Sequence, residues 1–165
     1  VAPVVTPEEK DGYARVKVWL PQGNYTDIFT GDYYAVTSAE GEEKTLLRTL
    51  ESIPVLAKAG TILPLSEEKG NGAPNPETLT VKVFSGNGEF TLYEDGREEG
   101  KNGEFFTDFT ARESVLQDGK KVQTLEISSR GESGVIPENR RLRVRFENIG
   151  KGKVTLKINK KKEKN

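Results

Sequence analysis

Period-two alternation of apolar and polar residues is the feature that most restricts what this chain can become. Ala14, Val16, Val18 and Leu20 alternate with Tyr13, Arg15, Lys17 and Trp19. Leu79, Val81 and Val83 alternate with Thr80, Lys82 and Phe84; Leu142, Val144 and Phe146 with Arg141, Arg143 and Arg145; Val154, Leu156 and Ile158 with Lys153, Thr155 and Lys157. A repeat of two puts one set on a buried face and the other in water, as in sheets with one solvated side. Turn signals separate these runs: Pro21-Gln22-Gly23-Asn24, Ser85-Gly86-Asn87-Gly88, Lys101-Asn102-Gly103, Gln117-Asp118-Gly119-Lys120 and Asn148-Ile149-Gly150-Lys151-Gly152. Gly and Asn supply the positive φ angles that tight reversals need. No window carries a helical stripe. The nearest, residues 43–51, is weakened by Thr45, Thr49 and the Ile53-Pro54 that follows.

The expected fold is therefore all-β, with two small antiparallel β-sandwich domains in tandem. A polar, Gly- and Pro-rich stretch at residues 66–77 has no aliphatic side chain larger than Ala and reads as a linker or long loop. It divides the chain into a first sandwich at 1–70, a linker at 71–76 and a second sandwich at 77–165. Charged residues make up 31% of the chain and apolar ones 33%, which fits thin cores better than one large one. The apolar run 55–63, bracketed by Pro54 and Pro64 with Lys58 as its only charge, suits a strand buried on both faces. Gly31 and Gly60 stand where reversals with positive φ are required.

Composition also excludes chemistry. Lacking His and Cys, the chain cannot build a Ser-His-Asp triad, a zinc-histidine site, a disulfide or a cysteine-ligated metal. With 25 basic and 26 acidic residues the net charge is −1, so no general attraction to nucleic acid or anionic membrane follows. The run Lys160-Lys161-Lys162-Glu163-Lys164-Asn165 reads as a solvated basic tail. No apolar run is long enough to span a bilayer, and no signal-peptide pattern opens the chain. A sequence without Met that starts Val1-Ala2-Pro3 is expected to be an excised domain or processed fragment.

Two carboxylates can suffice for glycoside hydrolysis, so the acidic residues need weighing. Glu94-Asp95 with Glu98-Glu99, around Gly96, form the densest cluster. The ligand spacing of a calcium loop is absent, and the polar, turn-like setting does not favour a raised carboxyl pKa. Carboxylates capping backbone N–H groups of a hairpin are the expected reading. No catalytic, cofactor-binding or metal-binding residue is assigned, and no cofactor is expected. The aromatic residues Trp19, Tyr25, Phe29, Tyr33 and Tyr34 are concentrated in the first half. They can fill a seam against a neighbouring domain or form a flat platform for sugar rings. Trp19 falls on the polar face of its strand and should point away from its own core.

Five blocks, in order, carry a resemblance. They are Ala2-Pro3-Val4, Leu20-Pro21-Gln22-Gly23, Tyr25-Thr26-Asp27-Ile28-Phe29-Thr30-Gly31, residues 53–64 (Ile-Pro-Val-Leu-Ala-Lys-Ala-Gly-Thr-Ile-Leu-Pro) and Phe90-Thr91-Leu92-Tyr93-Glu94-Asp95-Gly96. Together they resemble the region that follows the catalytic barrel in glycoside hydrolase family 31, the α-glucosidases and α-xylosidases. Asn24 or Tyr25 stands where that family usually has Trp, and one Asp of its Glu-Asp-Asp-Gly hairpin is missing. The resemblance covers about residues 1–100 and implies a proximal and a distal C-terminal β-sandwich. It also implies that the aspartate nucleophile and the aspartic acid/base lie on a barrel before the residue matching Val1, so no catalytic position carries over. The implied partner is that missing barrel of the same polypeptide, and the implied role is packing against it. An independent carbohydrate-binding module with Trp19 at its platform, taking an oligosaccharide as ligand, is the alternative. A surface β-sandwich used in adhesion is a third reading.

Overall fold

The computed structural model describes residues 1–68, 75–96 and 103–159. These form two compact units, Val1–Ala59 and Gly60–Asn165. Twelve strands and one short 3-10 turn, Ser133–Val135, make up the regular structure, with no α-helix among the described residues. The all-β expectation holds in both units.

In the first unit, β1 (Ala14–Leu20) pairs antiparallel with β4 (Glu42–Arg48). A second sheet has the order β3-β2-β5, from β2 (Gly23–Asp27), β3 (Tyr33–Val36) and β5 (Leu56–Lys58). The alternation in β1 works as the sequence implies: Val16, Val18 and Leu20 are buried, and they join Leu46, Tyr25 and Val36 in one core. The weak helical candidate at 43–51 is mostly β4. Its β-branched Thr45 and the Leu46 on its inner face suit a pleated ladder opposite β1.

The second unit contains β6 (Ile62–Ser66), β7 (Thr78–Phe84), β8 (Gly88–Asp95), β9 (Glu104–Val115), β10 (Lys121–Gly131), β11 (Arg141–Glu147) and β12 (Lys153–Asn159). One sheet runs β11-β7-β6 and the other β12-β10-β9-β8. Their inner faces meet in a core of Ile62, Val81 and Val83 against Phe109, Ala111, Leu125 and Ile127. The turn 85–88 is pinned from beneath by Gln123. Its buried amide donates to the Gly86 carbonyl at 2.8 Å and accepts from the Gly86 N–H at 2.9 Å.

Three details differ from the sequence reading. Two ladders are parallel, β7 with β11 and β10 with β12, because alternation reports which face is buried and not which way the neighbour runs. The run 55–63 is not one strand but two, β5 and β6, broken at Gly60 with φ 84°. A Cβ there would lie 2.0 Å from the Asn87 carbonyl oxygen, so only glycine lets the two backbones approach. Finally, β6 pairs with β7 and so belongs to the second unit, although composition places the division near residue 70. Of the linker read at 71–76, residues 71–74 lie outside the described residues. Asn75 is held, its amide donating to the carbonyls of Asp95 and Val135, each at 2.9 Å. The basic tail 160–165 also lies outside the described residues.

Candidate functional site

The Asp27-Ile28-Phe29-Thr30-Gly31 segment of the first unit is built around one buried carboxylate. Asp27 ends β2 and is fully buried. Its Oδ1 accepts hydrogen bonds from the backbone N–H groups of Phe29 (2.9 Å) and Thr30 (3.2 Å). The Gly31 N–H donates to the Asp27 carbonyl at 2.9 Å, and Gly31 takes φ 79° to close the turn. The other carboxylate oxygen meets the Arg48 guanidinium, which arrives from the end of β4 and is as deeply buried. Arg48 also donates from Nη1 to the Leu47 carbonyl at 2.6 Å. Burial lowers the pKa of Arg48, but a guanidinium beside a carboxylate stays charged at any ordinary pH. A buried ion pair of this kind fixes where the end of β4 and the turn after β2 meet.

The turn sets the surroundings of the aromatic residues, and the structure does not bring the five together. Tyr25 points inward, 8% exposed, in the core, with its hydroxyl donating to the Pro21 carbonyl at 3.0 Å. It is therefore not a surface platform but part of the first unit's core, in a strand whose last three residues, Tyr25, Thr26 and Asp27, are all buried. Tyr34, opposite Tyr25 in the ladder, packs half-buried on the same core. Burial and then the Asp32 carboxylate push its phenol pKa up. Trp19, Phe29 and Tyr33 are 62%, 60% and 55% exposed. Trp19 stands on the β1–β4 sheet, whereas Tyr33 belongs to the β3-β2-β5 sheet and Phe29 to the turn beside it. No two of these five rings pair with each other among the described residues.

That leaves Trp19 as the centre of the exposed apolar surface. Its indole lies over Gly41: a Cβ built there would be 2.9 Å from two atoms of the ring. A groove of about 410 Å³ opens beside it, with walls that include Val1, Pro3, Trp19, Leu20, Tyr25 and Leu56. Lys17 is the one charged side chain on that wall. The arrangement can receive an apolar surface. It presents no carboxylate pair.

The Glu94-Asp95 cluster in the second unit has a different explanation from the expected one. Glu94 does not cap a turn. It lies within β8, buried, and accepts two hydrogen bonds from Arg140, at 3.0 and 2.6 Å. The forked geometry matches a guanidinium to a carboxylate and ties β8 to the segment before β11. Glu98 and Glu99 lie outside the described residues, and no metal-binding group of carboxylates is found among the described ones. Both buried carboxylates thus face a guanidinium. Nothing in the sequence near Glu94 signals Arg140, 46 residues away.

Comparison with known proteins bears on the first unit. Residues 1–63 match the glycosyl hydrolase family 31 C-terminal domain. That match takes in β1 to β5, Trp19 and the Asp27–Arg48 pair. A relative, "Alpha-glucosidase 2" of Bacillus thermoamyloliquefaciens, is 29% identical over 99 residues, which cover 58% of this chain and 11% of that protein. The expectation drawn from the five sequence blocks is met in the first unit, where residues 1–63 are similar to the C-terminal domain of glycosyl hydrolase family 31.

Proposed function

We propose that this chain is a non-catalytic accessory region of an α-glycosidase, a structural support that packs on the catalytic barrel of the same polypeptide. The hydrolysis of O-glycosyl bonds is assigned to that barrel. The observation that carries this reading is Trp19, lying over Gly41, 62% exposed, at the rim of a groove in the family-matched unit. An indole of ~250 Å² that is mostly exposed offers on the order of 150 Å² to a docking surface, about 4 kcal/mol of gross burial before association costs. The charged groups of the unit support the same reading, because its buried carboxylate is committed to a turn and a guanidinium.

Two measurements test it. The purified chain should not turn over p-nitrophenyl α-glucoside or α-xyloside; measurable turnover would overturn the non-catalytic assignment. In a polypeptide that includes the barrel, Trp19→Asp should lower the temperature at which glycosidase activity is lost while leaving KM unchanged. The same residue also suits a sugar platform, and titration with malto- or isomalto-oligosaccharides separates the two readings. The support role predicts no saturable change in Trp19 emission. Micromolar, saturable quenching would instead identify a carbohydrate-binding module.

A further inference from the structure

One side of the second unit's sandwich lacks part of its core. β11 and β12 are edge strands of the two facing sheets and are not hydrogen-bonded to each other. Residues directly opposite in a ladder project to the same face. Val154, Leu156 and Ile158 stand opposite Gln123, Leu125 and Ile127, which are 1%, 0% and 4% exposed. They therefore point to the inside of the sandwich, yet they are 47%, 46% and 62% exposed. On the other sheet Leu142, Val144 and Phe146, opposite the buried Leu79, Val81 and Val83, are covered only in part. A cavity of about 160 Å³ touches both strands, at Leu142 and Ile158, and reaches in to Phe105 and Ile127. A core face left open along a whole strand is a surface that takes a partner.

The segments between and after the described residues do not fill it. Residues 69–74, 97–102 and 160–165 contain no Val, Ile, Leu, Phe, Tyr or Trp, so they cannot supply the missing apolar layer. A second copy fits poorly as well. β12 carries Lys153 and Lys157 between its apolar residues, and Arg141 opens β11. None of the three has an ion-pair partner among the described residues, and Lys160-Lys161-Lys162 follow in sequence. Lysines on an edge strand resist pairing with a like edge, and like charges placed opposite each other repel. The same charges attract an acidic strand.

We propose that the β11–β12 side of this sandwich binds an extended acidic segment of a partner protein. The segment adds to the free edge of β12, where unpaired backbone N–H and C=O groups await a ladder. Alternate apolar side chains cover Val154, Leu156 and Ile158, and the intervening carboxylates face Lys153 and Lys157.

The test titrates the full 165-residue chain with a synthetic eight-residue peptide that alternates Val or Ile with Glu or Asp. Controls are its Lys-substituted counterpart and an acidic version with Ser at the apolar positions. Calorimetry gives affinity, and methyl NMR of Val154, Leu156 and Ile158 gives location. Only the acidic apolar peptide should bind, with a Kd below about 100 µM, weakening at least tenfold between 50 and 500 mM salt. Leu156→Ser should weaken it at least tenfold, and Lys153→Glu with Lys157→Glu should switch preference to the basic peptide. These residues are exposed, so unchanged amide spectra elsewhere establish that the variants fold. Equal binding of acidic and basic peptides, methyl shifts confined to other strands, or no binding would overturn the proposal. So would a concentration-dependent dimer abolished by Leu156→Ser, which would assign the face to a second copy.

Discussion

Replacing Asp27 by Asn tests the claim that the first unit is organised by its buried ion pair. The change keeps volume and removes only charge, yet the amide cannot serve both sides of the site. If its oxygen stays with the N–H groups of Phe29 and Thr30, its NH₂ faces the Arg48 guanidinium, donor against donor. Flipping it satisfies Arg48 and orphans both backbone donors. Arg48 is left with the Leu47 carbonyl as its main partner. An uncompensated buried charge costs about 3–5 kcal/mol, a large part of what holds any small domain together. Arg48→Met should cost less, because the Asp27 carboxylate retains two N–H donors. Combining the changes should recover roughly 2 kcal/mol of the Asp27→Asn loss, since the stranded cation is gone and only an unsatisfied amide remains. Trp19 is the sole tryptophan and lies in this unit, so its emission during urea unfolding reads the unit directly. With a slope of ~1 kcal/mol per molar for so small a unit, the single change should lower the urea midpoint by about 3 M or more. A loss below about 1 kcal/mol, or no rescue by Arg48→Met, would refute the reasoning.

Further predictions concern the second unit. Gly60→Ala should destabilise it by more than about 1–3 kcal/mol, the cost of a positive φ alone, because the new methyl also meets the Asn87 carbonyl. Gly119→Ala, with φ 79° and nothing within 4 Å, should show only the backbone cost; equal losses at the two sites would refute the close-approach argument. Stability should also depend on pH in a set direction. Hydrogen bonds from Thr91 and then Arg130 hold Asp108 below its ordinary value of 3.8, and those from Ser85 and then Lys121 hold Glu113 below 4.5. Native pKa values that are depressed mean the unfolded chain binds protons first. The contribution is fully present above about pH 5 and is lost as pH falls through the native values. Urea midpoints read by amide exchange in β9 should be level from pH 7 to 5 and drop toward pH 3. Asp108→Asn with Glu113→Gln should flatten that drop, and a midpoint rising on acidification would contradict it.

How much of this was legible in the sequence depends on the range of the interaction. Alternation places β1, β7, β11 and β12 correctly, because a half-buried strand imposes its period on its own residues. The positive φ at Gly31 and Gly60 was legible for the same local reason. The parallel ladders were not, since strand direction is fixed by a partner dozens of residues away. Nor was the fate of Tyr25, whose neighbour Asn24 and partner Tyr34 say nothing about which side of β2 faces the core. Phe105, Thr107, Phe109 and Ala111 alternate inside β9 and offered a signal that the neighbouring charges obscured. The buried pairs Asp27–Arg48 and Glu94–Arg140 were out of reach, because an acidic residue in a turn-like stretch looks the same whether it caps a hairpin or meets a distant arginine.

Those two pairs also bear on the proposal that this glycosidase-associated fold serves as a support. A retaining or inverting carboxylate pair needs one group kept protonated near neutral pH, and apolar enclosure without a cation is what achieves it. Asp27 and Glu94 are enclosed, but each is enclosed together with an arginine, which holds the side chain still. Enclosure of that sort fixes position. In the first unit it sets the turn after β2 against the end of β4. In the second it ties β8 to the segment before β11, the strand that borders the open apolar side. Charge inside this protein positions surface; the surfaces so positioned, Trp19 with its groove and the β11–β12 edge, are where its function is to be sought.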